Sequence, residues 1–393
     1  MRYGCLYFKY FVNFIILCND SLFILFFFCK LRSFLFRETV KNIILLSVLI
    51  TIINYANLFS NEEIIAKYSN NITDSTLAAS DSAKIQVKDS LHIHQSEFMY
   101  ADNPQYTFNG ELPLRETSLR PLNASIVAGI YAGAFIIQHQ IQMNTIWKEQ
   151  TAFKFEEDGD YAFYVDKAGH FYGTWVMSHF LRETFLWSGF NYKTSYWLGA
   201  MTGLAYSTYV EILDGYGKNW GFSPSDFYCD VLGTAFSIGQ LYVPFLQNFT
   251  PKFHYIPSPW FGERTRTPSE IMIDDYSSQV FWLSVNVHNL LSDNLKKYWP
   301  SWLQLSFGYT ARNLCNIDSP EGNAHHYDQT GRWTKGDPKF IVALDYDLVK
   351  LLPGDGKFWG WLKQSLNVLK LPSPAIEFSK NRTNFYLLYP FKF

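Results

Sequence analysis

Seven side chains in the middle of the sequence have the types and spacing to do chemistry: Asp166, Lys167, His170, Glu211, Asp214, Asp226 and Asp230. Asp166 and His170 stand four apart, so a helix would place them on one face. Asp226 and Asp230 repeat that spacing, and Glu211 and Asp214 are three apart. One histidine among several carboxylates suits a hard or borderline cation. Crowded carboxylates also push one another's pKa upward and so handle protons. Each residue has a plainer use as well. Asp226 can complete a capping box with Ser223, Asp214-Gly215 is a common helix-ending turn, and Asp166 favours a helix N-terminus. Together the set can act as polar glue between apolar helices. The sequence alone assigns no catalytic residue, no metal ligand and no cofactor. It contains no GxSxG, HExxH, P-loop or dinucleotide fingerprint.

The elements that must position these groups are helical. Residues 124–137 are nearly all apolar and small, with Gly129 and Gly133 four apart on what would be a smooth packing face. That run is short for a membrane span. Helices are expected over 167–187, over 194–213 (where Gly199 and Gly203 repeat the small-residue spacing) and over 224–245. The last is well signed: Ser223 is a natural N-cap and Pro224 fits the first helical position.

After Pro251 the period changes from helical to alternating. Apolar residues at 281–287, 303–309, 340–348 and 385–391 alternate with more polar ones, as strands with two unlike faces do. A helix is expected over 357–369, ended by Pro372 and Pro374. The fold class is therefore α+β: an apolar bundle of about four helices, then a small antiparallel sheet with too few strands for a membrane barrel. The expected organisation is an apolar signal or anchor region over 1–60, a polar linker over 61–118, the helical domain over 119–250 and a β-rich region over 251–393. The other polar candidates are weaker. His325, His326 and Asp328 fall in a loop, His139 on a polar helix face, and Asp345 and Asp347 read as solvent-facing strand charges.

Composition narrows the function. Charged residues make up 17% and aromatics 19% of the chain, a balance that favours membrane contact over a soluble housekeeping enzyme. The net charge of -2, with no basic stripe, excludes nucleic acid as a partner. Cys229 and Cys315 are the two cysteines beyond the N-terminal apolar region, too few for a disulfide scaffold or a thiolate zinc site. The runs near 7–29 and 43–59, with Lys30, Arg32, Arg37 and Lys41 between them, match an export signal, with an uncleaved anchor as the rival reading. A start at Val40 would give a compact signal.

Four ordered blocks carry a resemblance. They are Asp166-Lys167-Ala168-Gly169-His170-Phe171-Tyr172-Gly173, Glu211-Ile212-Leu213-Asp214-Gly215, Gly221-Phe222-Ser223-Pro224-Ser225-Asp226 and Asp230-Val231-Leu232-Gly233. These resemble the YfiM-like family of predicted periplasmic lipoproteins, which is similar in layout to VanZ-like membrane proteins. Asp230 stands where such proteins often have Asn, and no lipobox cysteine follows the apolar run. The resemblance implies a bacterial envelope location, on the periplasmic side or at the outer membrane, and no particular reaction. The expected function is a membrane-associated envelope protein that contacts membrane lipid, binds lipid or glycan, or supports envelope integrity. The alternative is a metal- or acid/base-dependent enzyme acting on lipid-linked or glycan substrates.

Overall fold

The computed structural model describes residues 91–257, 275–312, 314, 336–354, 356–380 and 382–391, all within one unit, Ala79–Phe393. The expectations for residues 1–90, Cys315, His325, His326 and Asp328 lie outside the described residues.

Among the described residues there are four long helices: α1 (Pro121–Asn144), α2 (Val165–Trp187), α3 (Tyr192–Asp214) and α4 (Pro224–Tyr242). Their starts follow local chemistry. The Asn191 side chain accepts from Thr194 N at 2.9 Å to cap α3, and Ser223 Oγ accepts from Asp226 N at 3.3 Å to cap α4, with Pro224 in the first turn. Helix α2 starts differently. Ala162, Phe163 and Tyr164 take φ of 49°, 54° and 65° and deliver a left-handed turn directly into it. Such a turn costs about 1–2 kcal/mol per non-glycine residue. Tyr309 Oη, donating to Phe163 O at 2.6 Å, ties it to the sheet.

Small residues set the close approaches. A Cβ at Gly233 would lie 2.1 Å from Phe171 O, and one at Gly199 would lie 2.6 Å from Arg182 N, so α4 and α3 both press onto α2 where glycine alone fits. The expected smooth face of α1 differs. Nothing lies within 4 Å of a Cβ at Gly129 or Gly133. Helix α1 instead touches the bundle along one stripe, with Asn123 donating to Trp187 O at 2.9 Å and His139 Nδ1 hydrogen-bonded to Tyr209 Oη at 2.6 Å. His139 is thus a docking residue.

The second half is a six-stranded antiparallel sheet in sequence order: β3 (Phe249–Tyr255), β4 (Gln279–Val285), β5 (Leu303–Arg312), β6 (Asp337–Tyr346), β7 (Ser373–Phe378) and β8 (Thr383–Tyr389). A helix α5 (Lys357–Leu366) precedes β7. Strands β3 and β7 each contain an internal proline (Pro251, Pro374), which had masked them in the sequence. Val287 and His288, expected to continue a strand, open a helical turn (Val287–Leu290) because Asn286 caps it. Within 91–118, expected to be linker, Met99–Tyr100 (β1) and Asn103–Pro104 (β2) pair as a hairpin and Phe98 is fully buried.

The burial pattern is inverted. The buried residues of α4 are Asp226, Asp230, Gly233, Thr234, Ser237 and Gln240. Its outer residues Tyr228 and Leu232 are 64% and 59% exposed. The sheet does the same: Gln304, Ser306 and Thr310 of β5 point inward, while Phe340 and Phe385 are 63% and 77% exposed on the outer face. This corrects the reading of Asp345 and Asp347 as solvent-facing. Both are buried, because the polar face of the sheet is its inner one.

Candidate functional site

The first turn of α2, the last turn of α3 and the first two turns of α4 meet at one end of the bundle. Antiparallel packing of three helices of similar length brings their ends together, which the sequence left open. His170 stands in the middle. Its Nε2 lies 3.7 Å from Asp166 Oδ1, 3.7 Å from Asp226 Oδ1 and 3.8 Å from Glu211 Oε1. Its Nδ1 lies 3.2 Å from Asp230 Oδ1. Lys167 Nζ contacts Asp158 Oδ1 at 2.6 Å, Asp166 Oδ2 at 2.8 Å and Asp226 Oδ1 at 2.5 Å. Six of the seven sequence candidates therefore converge: Asp166, Lys167, His170, Glu211, Asp226 and Asp230. Asp214 acts on the set through Glu211, whose pKa its charge raises. Its Oδ1 accepts from Trp147 Nε1 at 2.5 Å and fixes the loop after α1.

Three groups were not read from the sequence. Asp158 precedes the left-handed turn and accepts from Ser223 Oγ at 2.6 Å. Tyr276, just before β4, donates to Asp166 Oδ1 at 2.7 Å. Ser223 had been read only as a cap. The backbone N of Ser223 donates to Glu211 Oε2 at 3.2 Å, so half of the expected capping box is missing and the Asp226 carboxylate is released into the cluster. The Asp-Gly-Asp stretch Asp158-Gly159-Asp160 could have flagged the first of these; no local signal marks Tyr276, which arrives from the other half of the chain.

The cluster is buried except for His170 and Asp158, whose side chains are 22% and 26% exposed. Five carboxylates face two cationic groups, and the electrostatics follow. Burial opposes ionisation of Asp166, but Lys167 and His170 outweigh it and hold its pKa at about 2. Burial and the Asp166 charge push Asp226 up to about 9, against the pull of His170 and Lys167. Burial likewise pushes Glu211 up to about 8. Burial disfavours a charged His170, yet Asp166, Asp230 and Asp226 raise it well above an ordinary imidazole. Asp230 Oδ2 is buried and receives no hydrogen bond, while Asp226 Oδ1 is met by the Lys167 ammonium.

Two sets of donor atoms here are close enough to share one metal ion, Asp166–His170–Asp226 and His170–Glu211–Asp230, each within 4.8 Å of one another. The arrangement can hold a cation, or carry a proton between His170 and a carboxylate. A separate cavity of about 50 Å³ lies between the β1–β2 hairpin, α2 and the sheet; Tyr100, Gln105, Trp175, Asn286 and Gln304 are among its lining residues, and no member of the cluster is. Cys229, on α4, is a free thiol.

Residues 154–241 match a family described as "predicted periplasmic lipoprotein (DUF2279)". The match covers the three-helix bundle and every cluster residue of the bundle, but neither α1 nor the sheet. It agrees with a cell-envelope protein on the periplasmic side of a membrane. No curated protein and no solved structure matches the chain.

Proposed function

We propose that this chain is a membrane-seated envelope protein that turns its apolar outer surface to lipid and keeps its ionisable groups inside. The inverted burial carries the reading. In water, apolar side chains go inward and polar ones outward. Against lipid, helices pack through small and polar residues and leave apolar ones outside, and a membrane sheet is polar within and apolar without. Helix α1 fits the same setting: among the described residues it is the one helix long and apolar enough to cross a membrane, and 6% of its apolar window is buried. The likeness to YfiM-like and VanZ-like proteins adds support through the four sequence blocks.

The test uses the full chain reconstituted in vesicles, with single nitroxide labels at Leu232, Phe340 and Leu387 and a control at Lys218. The expected result is collision with oxygen and protection from a water-soluble nickel chelate at the first three sites, and the reverse at Lys218. Chelate access at Leu232 and Phe340 equal to that at Lys218 would overturn the lipid reading.

A second reading is favoured by the 22% exposure of His170, which with Asp158 forms the open side of an otherwise buried cluster. In it, His170 acts as acid or base on a lipid-linked or glycan substrate, with the carboxylates as partners. Loss of the envelope phenotype in a folded His170→Gln variant supports it, and an unchanged phenotype removes it.

A further inference from the structure

We propose that His170 Nε2, Asp166 Oδ1 and Asp226 Oδ1, with the Glu211 carboxyl group 3.8 Å from the same nitrogen, form a divalent-cation site of the Mn²⁺ or Zn²⁺ class. The inference stands apart from the lipid reading, since it rests on the interior of the bundle alone.

Three observations carry it. The first is spacing. The imidazole nitrogen is 3.7–3.8 Å from each of three carboxylate oxygens supplied by three helices. A tetrahedral shell with zinc-type bonds of about 2.0–2.2 Å has edges of about 3.3–3.6 Å. The nitrogen–oxygen edges to Asp166 and Asp226 exceed that by a few tenths of an ångström, and these three donors all lie within 4.8 Å of one another. One nitrogen among oxygens points away from Mg²⁺ and Ca²⁺, which take all-oxygen shells, and toward ions that accept both donors.

The second is the layer behind the ligands. His170 Nδ1 meets Asp230 Oδ1 at 3.2 Å, a contact that holds a proton on Nδ1, so that Nε2 is the nitrogen a metal would take as its own proton leaves. Tyr276 Oη donates to Asp166 Oδ1, and Ser223 N holds the far oxygen of Glu211 at 3.2 Å. Asp166 and Glu211 thus each carry an orienting hydrogen bond, the pattern that supports metal ligands.

The third is incomplete satisfaction. Buried polar atoms are almost always hydrogen-bonded, yet Asp230 Oδ2 is not, and Asp226 Oδ1 has the Lys167 ammonium alone beside it. Lys167 meets one part of the negative charge through Asp158, Asp166 and Asp226, but it makes no ion pair with Glu211 or Asp230. A cation at His170 would complete the balance, and the partly exposed imidazole gives it a way in.

The experiment uses the full chain in detergent, stripped with a chelator and desalted, then given MnCl₂ or ZnCl₂ alone. Bound metal is measured by elemental analysis after gel filtration, and unfolding is followed by circular dichroism with and without metal. Wild type is expected to keep one equivalent and to melt higher with metal. Glu211→Gln should bind at least about tenfold more weakly. Asp230→Asn, which touches His170 but not the ion, should lose about 10–100-fold in affinity. His170→Ala should abolish uptake; if it does not fold, the Glu211 and Asp230 variants decide. Folded wild type that takes up no metal would overturn the proposal. So would one equivalent retained at unchanged affinity in Asp230→Asn and Glu211→Gln, or melting shifts in these variants that are the same with and without metal.

Discussion

The bundle end and the interior of the sheet both bury charge, and they do it in opposite ways. In the sheet, Asp345 is surrounded. Lys252 Nζ lies 3.0 Å from Oδ2, Lys370 Nζ lies 3.5 Å from Oδ1, Tyr346 N donates at 2.8 Å and Ser284 Oγ donates as well. Lys252 goes on to Tyr346 O, and Lys370 to Leu344 O and Ser373 Oγ. Cations match or exceed anions, and Asp345 has no unfilled oxygen. In the bundle, five carboxyl groups share Lys167 and His170, and Asp230 Oδ2 receives no hydrogen bond. Burial of charge is therefore no sign of function by itself. The closed network around Asp345 is a structural tie, whereas at His170 the carboxyl groups outnumber the cationic ones.

Removing the central anion separates the two regions most sharply. Asp345→Ala leaves Lys252 and Lys370 buried without their partner, a change that costs about 3–5 kcal/mol. Chemical denaturation of the full chain should show that loss, and a loss below about 1 kcal/mol would mean that water or a side chain repairs the gap. Next in size is Gly233→Ala. Its Cβ would meet Phe171 O at 2.1 Å and Thr174 Oγ1 at 2.4 Å, so α4 must move away from α2. Overpacking of this kind costs about 1–3 kcal/mol. It should also part Asp226 and Asp230 from His170, so metal uptake should fall with stability. By contrast, Asp226→Asn in metal-free protein replaces a carboxyl group that burial and the Asp166 charge already hold protonated at neutral pH, and its stability should be unchanged or up to about 1 kcal/mol higher. A drop as large as that of Asp345→Ala would show that the two regions are built alike after all.

The sequence made the cluster legible because its members sit at helix ends with spacings of three and four, and helix ends can be read from Ser223-Pro224 and Asp214-Gly215. Six of seven candidates meet for that reason. Tyr276 and Asp158 were hidden: the first is brought in by the packing of the sheet, and the second by a left-handed turn at Ala162–Phe163–Tyr164 that no residue preference announces. The inner strands were read correctly as two-faced. Which face pointed inward was not legible, since alternation looks the same in water and in lipid. Taking the polar face as the outer one placed Asp345 and Asp347 in solvent, where soluble proteins keep such groups. The strands β3 and β7 were missed because Pro251 and Pro374 argue against a strand.

The smallest effect expected at neutral pH concerns His254, on β3, and it tests the cation-rich character of the sheet. Burial first, then the charges of Lys370 and Arg312, lower its pKa to about 4. Its Nδ1 has no hydrogen-bond partner, and its ring packs near Tyr389. In the unfolded chain the same imidazole titrates near about 6.5. Between these values the unfolded state takes up a proton that the folded state refuses. Stability from this group is therefore fully present above about pH 6.5 and is lost as the pH falls toward about 4. His254→Gln cannot take up that proton. The difference in melting temperature between wild type and variant should be flat above pH 7 and should shift in favour of the variant as the pH drops from 6.5 to 4.5. A difference that stays constant over that range would mean that His254 meets no net positive field, and the contrast between a cation-rich sheet and an anion-rich bundle would lose its electrostatic basis.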